Sequence, residues 1–221
     1  MERVLKIAIY ILLGSSILGA LSYYVDAEFF GSLVKEDGIF ENITALVLLA
    51  ISVLSFIRLI KQHKQRNKWW VIMNVVIVIG AFFGFGEEIS WGQRIFSIQA
   101  GDFFTSNNLQ QETNLHNLEV GGVNINKLIF SKGLVIVFGF YFLFAQWLYI
   151  KWDRFKDFIV KIGLQLPKIK HSVAIFVCTG IVVVNGGARI WELWEAMFVI
   201  VILWVFIDPY NTREKLLGNT K

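Results

Sequence analysis

Two adjacent glutamates, Glu87 and Glu88, stand at the end of an apolar run in the segment GEEISWGQR, which covers residues 86–94. A carboxyl group that is partly removed from water holds its proton more tightly, and this suits it to general acid and base catalysis. Trp91, Gln93 and Arg94 follow directly, and the guanidinium of Arg94 is suited to an anionic group. The segment is therefore predicted to contribute both catalytic and substrate-binding residues.

A second polar segment, QQETNLHNLEV at residues 110–120, carries Glu112, His116 and Glu119. If the segment is helical, the spacing i, i+4, i+7 places the three side chains on one face. A histidine flanked by carboxylates is suited to moving a proton or to ligating a metal ion. We therefore expect His116, with Glu112 as its partner, to act together with Glu87 and Glu88.

A third polar group begins the last apolar run, in the segment RIWELWE at residues 189–195. Arg189, Glu192 and Glu195 recur every three residues and so form one stripe on a helix. With the residues after Glu88, they complete the predicted set of substrate-binding side chains: Trp91, Gln93, Arg94, Arg189, Glu192 and Glu195.

A divalent metal ion is one cofactor that this set of side chains can hold, and Glu88, Glu112 and His116 are its predicted ligands. Zinc sites commonly use two or three His or Cys ligands. A single histidine among carboxylates suits Ca, Mg or Mn better. Metal-free acid–base catalysis by a glutamate with His116 stays open. A serine mechanism through Ser90 has no supporting G-x-S-x-G context.

The elements that position these residues are predicted to be membrane helices. Of the 221 residues, 56% are hydrophobic and only 17% are charged, against about 25% charged in soluble domains. This composition excludes a water-soluble enzyme. Apolar runs of about 17–25 residues, the length that crosses a bilayer, predict an all-α single domain over residues 1–221. Its six transmembrane helices are expected at about 4–25, 39–60, 69–91, 130–150, 170–187 and 189–207.

Basic residues predict the orientation of this bundle, because Lys and Arg in short loops resist translocation. The net charge of +4 is unevenly distributed. With both termini cytoplasmic, sixteen of the 21 Lys and Arg lie inside, whereas twelve of the 17 acids lie outside. The sequence thus predicts a multi-pass protein of the inner membrane. Its outer loop, residues 92–129, is expected to contain an interfacial amphipathic stretch or short helix between the third and fourth transmembrane helices.

Together these patterns predict a membrane-embedded hydrolase or transferase that acts on a lipid or lipid-linked substrate in an outward-facing acidic cavity. A cation-coupled transporter or channel is the first alternative, and a sensor or partner-binding subunit is the second. A plainer interpretation of each polar group is a structural ion pair at a helix end. Membrane lipids are the expected partners. A protein partner or homo-oligomer stays open, and nucleic acid is not expected, because no binding motif accompanies the basic segments.

Overall fold

The computed structural model describes residues 2–35, 38–115, 118–120, 123–124, 133–186 and 189–211. Ten α-helices and two short strands fall within these ranges. The helices are α1 Glu2–Ser22, α2 Ala27–Leu33, α3 Ile39–Gln62, α4 Lys68–Glu88, α5 Gln93–Phe96, α6 Asp102–Asn107, α7 Leu134–Lys151, α8 Asp153–Ile162, α9 Ile169–Asn185 and α10 Ile190–Ile207. The strands β1 Glu119–Val120 and β2 Val123–Asn124 pair antiparallel.

Five of these helices are long and apolar enough to cross a membrane, namely α1, α3, α4, α7 and α10. They confirm a helical, multi-pass membrane protein and match five of the six predicted spans. The predicted span at 170–187 corresponds to α9, an apolar helix of 17 residues. At 1.5 Å per residue α9 is about 25 Å long, shorter than a typical hydrocarbon core. The six-span topology therefore stays a prediction.

Helix α10 occupies the centre of the bundle, where it packs against α1, α3 and α9. Leu193, Met197, Ile200 and Val201 are completely buried. The other membrane-length helices keep many exposed apolar side chains, as expected for surfaces that face lipid. The hydrophobic core is therefore organised around the last helix of the described chain.

Helices α3 and α4 form an antiparallel hairpin whose register is fixed by side-chain contacts. Asn67 caps α4, because its side chain accepts hydrogen bonds from the backbone N–H groups of the next turn. Ser52 Oγ donates to Val78 O at 3.0 Å, and Arg58 lies over the ring of Trp70. The hairpin brings the start of α3 beside the end of α4. We call this the acidic end of the bundle, because Glu41 and Glu88 lie there, and the opposite end the basic end.

The basic end is closed by a buried, non-helical segment, residues 163–167, between α8 and α9. Asn211 fixes this backbone twice: its Oδ1 accepts from Leu166 N and its Nδ2 donates to Leu164 O, both at 2.8 Å. Tyr141 Oη donates to Gln165 O at 2.7 Å. Side chains thus satisfy backbone groups that would otherwise be buried at a cost of several kcal/mol.

Three lysines surround one carboxylate beside this segment. The ammonium groups of Lys168, Lys170 and Lys6 lie 2.6, 2.5 and 3.5 Å from Asp208; the first two lie at the start of α9 and the third lies in α1. Burial alone would raise the pKa of Asp208, but the hydrogen bonds from Lys168 and Lys170 outweigh it and lower the pKa below its ordinary value. The ionised carboxylate therefore ties α1, α9 and the end of α10 together.

Acid should weaken this tie. Since the pKa of Asp208 is lower in the folded than in the unfolded chain, its stabilising effect is complete above about pH 4 and is lost as the pH falls toward the folded value. We expect the unfolding temperature of the wild type to fall more steeply than that of Asp208→Asn between pH 5 and pH 3. Thermal unfolding in an uncharged detergent measures both curves, and parallel curves would contradict the assignment.

Candidate functional site

Helix α4 ends at Glu88, three residues earlier than the predicted boundary at 91, because the backbone turns sharply. Ser90, Trp91 and Gly92 all have left-handed conformations, with φ of 46°, 54° and 79°. A non-glycine residue in this region costs of order 1 kcal/mol, and such strain is retained where the surroundings enforce it. The turn reverses the chain, so that the residues after it return across the acidic end.

Trp91 holds this turn against its own helix. Its ring packs edge-on against Phe83, with ring centroids 5.6 Å apart, and lies so close to Gly86 that a Cβ there would be 2.8 Å from it. Its Nε1 donates to Glu87 Oε1 at 2.9 Å. The other oxygen of Glu87 accepts from Leu115 N at 2.5 Å. Glu87 is buried and therefore positions the turn and the following loop.

A buried polar network joins the turn to residues 108–114. Ser90 Oγ donates to Glu112 Oε2, and Asn114 Nδ2 donates to the same hydroxyl at 2.8 Å. Asn108 Nδ2 donates to both oxygens of Asn114, and its Oδ1 accepts from the backbone of Gln110 and Glu112. Ser90, Asn108 and Asn114 are each at least 95% buried. The network gives the loop a defined structure without regular helix.

The predicted helical face through Glu112, His116 and Glu119 is wrong for the described residues. Residues 112–115 are not helical, and Glu119 begins β1. The physical reason lies in Asn108, whose side chain binds the backbone groups of Gln110, Glu112 and Asn114 and so competes with helical hydrogen bonds. His116 itself lies outside the described residues.

Arg94 connects the loop to α3 and α4. Its Nη2 donates to Glu41 Oε1 at 3.1 Å and to Glu88 O at 3.3 Å, while its Nε lies 3.4 Å from Glu112 Oε1. Two carboxylates thus share one guanidinium, so Arg94 orients the site. Gln93 is also structural, because its Oε1 accepts from Thr113 N at 2.7 Å.

A cavity of about 70 Å³ opens at the acidic end. Its polar wall consists of Glu41, Asn42, Glu88 and Arg94, and Ala45, Ile89 and Ile95 supply the apolar wall. This volume has room for a few water molecules or for one small reacting group. The wall of this cavity thus includes one of the predicted catalytic residues, Glu88.

Glu88 also faces carboxylates from other helices. It is within electrostatic range of Glu195 and Glu192 on α10 and of Glu41 on α3. Such a group of carboxylates repels itself unless protons or cations are shared among its members. The structure therefore brings together predicted residues from two of the three segments, and it adds Glu41, which was not among the predicted site residues.

The remaining predicted residues lie around this group. Glu112 reaches it through Arg94, and Trp91 packs on α4 at its edge. Arg189 is the exposed N-cap residue of α10, with a left-handed φ of 57°. Within the described ranges, no group of three or more His, Cys, Asp or Glu side chains is arranged to hold a metal ion. The predicted metal, which depends on His116, stays a prediction.

Comparison with known proteins yields no match to a protein family, to a curated protein or to a solved structure. The class that fold and site define is a multi-pass helical membrane protein with carboxylates grouped at one end of the bundle.

Proposed function

We propose that the acidic end is the active site of a membrane-embedded hydrolase or transferase that acts on a lipid or lipid-linked substrate. The observation that carries this proposal is the position of Glu88, the last residue of a membrane-length helix, in the wall of a cavity. An ionisable side chain at the end of a membrane-length helix usually faces the bundle interior or an aqueous cavity, and it is typical of functional sites.

The surroundings of the cavity favour a substrate that arrives from the lipid. Ile95 lines the cavity and is 68% exposed, and the adjacent Phe96 is 72% exposed. Exposed apolar side chains beside the end of a membrane helix suit the boundary between headgroups and acyl chains. The cavity then admits the reacting group of the substrate, while its chains stay in the bilayer.

Glu88 is the proposed general base and acid. Its carboxylate takes a proton from water, or from the alcohol of an acceptor, as that oxygen bonds to an acyl carbon or a phosphorus. The bond to the leaving oxygen breaks, and Glu88 returns the proton to the leaving alkoxide. Arg94 positions Glu41 and Glu112 beside it. In the proposed orientation this end faces outward from the inner membrane, with both termini cytoplasmic.

The Glu88→Gln variant is expected to lose activity by about 10²–10⁴-fold, the usual contribution of a general acid or base. Glu28→Gln is the matched control, because Glu28 is exposed on α2. Mass spectrometry of lipids measures the effect, both in a deletion strain carrying each variant and in vesicles of extracted lipid with purified protein. Wild-type lipid profiles for Glu88→Gln at matched expression would contradict the proposal.

A cation-coupled transporter is the second candidate, favoured by one observation along the hairpin. Ser55 Oγ and Asn74 Oδ1 are buried between α3 and α4, and neither has a hydrogen-bond partner among the described residues. The hairpin register places them opposite each other, nearer the basic end than Glu88. Cation flux into proteoliposomes that Glu88→Gln abolishes, with lipid profiles unchanged, would favour this candidate over the enzyme.

A further inference from the structure

The basic end carries a cluster of charge that the proposed function does not use. We call Lys6, Lys168, Lys170 and Asp208 the lysine cluster. Both oxygens of Asp208 are occupied, Oδ1 by Lys168 and Lys6 and Oδ2 by Lys170. Lys168 and Lys170 alone supply two positive charges against one negative charge. The described cluster therefore keeps an excess of positive charge even without Lys6.

The ammonium groups of Lys168 and Lys170 also keep hydrogen-bond donors to spare. Each ammonium has three N–H donors, and Asp208 engages one from each of Lys168 and Lys170. The side chains of Lys168 and Lys170 are 33% and 41% exposed, so these donors are accessible from outside the bundle. A ligand for this place must therefore accept hydrogen bonds and carry negative charge.

The wall behind the lysines offers further donors. Lys168 N donates to His171 Nδ1 at 3.1 Å, which makes Nδ1 an acceptor and places the proton of the neutral ring on Nε2. His171 Nε2 and Trp204 Nε1 are both buried, without a hydrogen-bond partner in the described part of the chain. The two rings are in edge contact, and Lys170 lies 4.7 Å from the centre of the Trp204 ring. Both unpaired groups are N–H donors, which suit an anion.

The position of the cluster identifies the source of the anion. Lys6 lies in the first turns of α1, and Asp208 directly follows α10, so the cluster lies at the ends of two membrane-length helices. Lipid phosphates lie at this level of a bilayer. We propose that the lysine cluster binds the phosphate group of an anionic phospholipid.

Short-chain lipids test this proposal on the full-length protein. In an uncharged detergent, dioctanoyl phosphatidylglycerol is expected to raise the unfolding temperature of the wild type with a saturable dose dependence. Lys168→Gln and Lys170→Gln are each expected to weaken the apparent affinity for this lipid about fivefold. This factor corresponds to the contribution of about 1 kcal/mol that a basic residue makes near a charged membrane surface. Lys156→Gln removes the same charge from an exposed position on α8, and it should behave as the wild type.

Asp208→Asn separates binding from a purely structural ion pair. The change removes the competing carboxylate, so the affinity for phosphatidylglycerol should increase even though the unliganded protein is less stable. A decrease in affinity would overturn the proposal. So would an equal shift with dioctanoyl phosphatidylcholine, or a shift with phosphatidylglycerol that both lysine variants retain. An equal rise in unfolding temperature with inorganic phosphate at the same concentrations would overturn the lipid as the source of the bound phosphate group.

Discussion

Gly163→Ala is expected to destabilise the protein by about 3–5 kcal/mol, from a left-handed backbone and overpacking together. Gly163 has φ of 68°, and a Cβ built on it would lie 2.0 Å from Trp70 Cδ1 and 2.2 Å from Trp70 Nε1. Trp70 cannot move away easily, because it is 99% buried and lies beneath the guanidinium of Arg58. Thermal unfolding in detergent measures the loss.

Gly180→Ala is the matched control. Gly180 lies inside α9, and an added Cβ would meet nothing within 4 Å. Alanine favours helix over glycine by up to about 1 kcal/mol, so this variant should be as stable as the wild type or slightly more stable. Equal unfolding temperatures for the two variants would show that Trp70 and the segment after α8 rearrange freely.

Asn108→Ala is expected to open the loop at the acidic end. Asn108 makes four hydrogen bonds with its side chain, and each is worth about 1 kcal/mol. The free energy of opening the loop should therefore fall by about 3 kcal/mol. Where amides exchange through local opening, this corresponds to roughly 100-fold faster hydrogen exchange of the protected loop amides. Mass spectrometry of peptides covering residues 108–115 measures this rate, and the helices should keep their protection.

The neighbouring Asn107→Ala provides the control for this experiment. Asn107 Nδ2 donates to Phe103 O in the same short helix, at 2.8 Å and near the surface. Its removal should change exchange by less than about threefold, as expected for an exposed polar contact. Comparable exchange in both variants would mean that the polar network does not hold the loop.

The long helices were predictable because each has an apolar run about as long as a membrane span. The hairpin of α3 and α4 follows from two such runs with a short basic connection. In contrast, Ser90 and Trp91, two of the three left-handed residues of the turn, are not glycine, so the local sequence marks the turn only at Gly92. Contacts of Trp91 with Gly86 and Glu87, at the end of the preceding helix, hold the turn.

The candidate site was predictable in its chemistry and less so in its geometry. Charge placed Glu88, Glu192 and Glu195 at one end of the bundle, and the structure has them within electrostatic range. The charge distribution places Glu41 at the same end, and the hairpin brings the start of α3 beside the end of α4. The structure of the loop around Asn108 was not predictable, because it depends on side-chain hydrogen bonds rather than on a repeating sequence pattern.

The central position of α10 has a consequence for biosynthesis. Helices α1, α3 and α9 pack on a helix that leaves the ribosome after all of them. Until α10 enters the bilayer, the surfaces that will surround it face lipid or the insertion machinery. Assembly of these helices is thus coupled to the insertion of α10. Substitutions in the buried face of α10 are therefore expected to impair the maturation of the entire chain, including segments that were inserted much earlier.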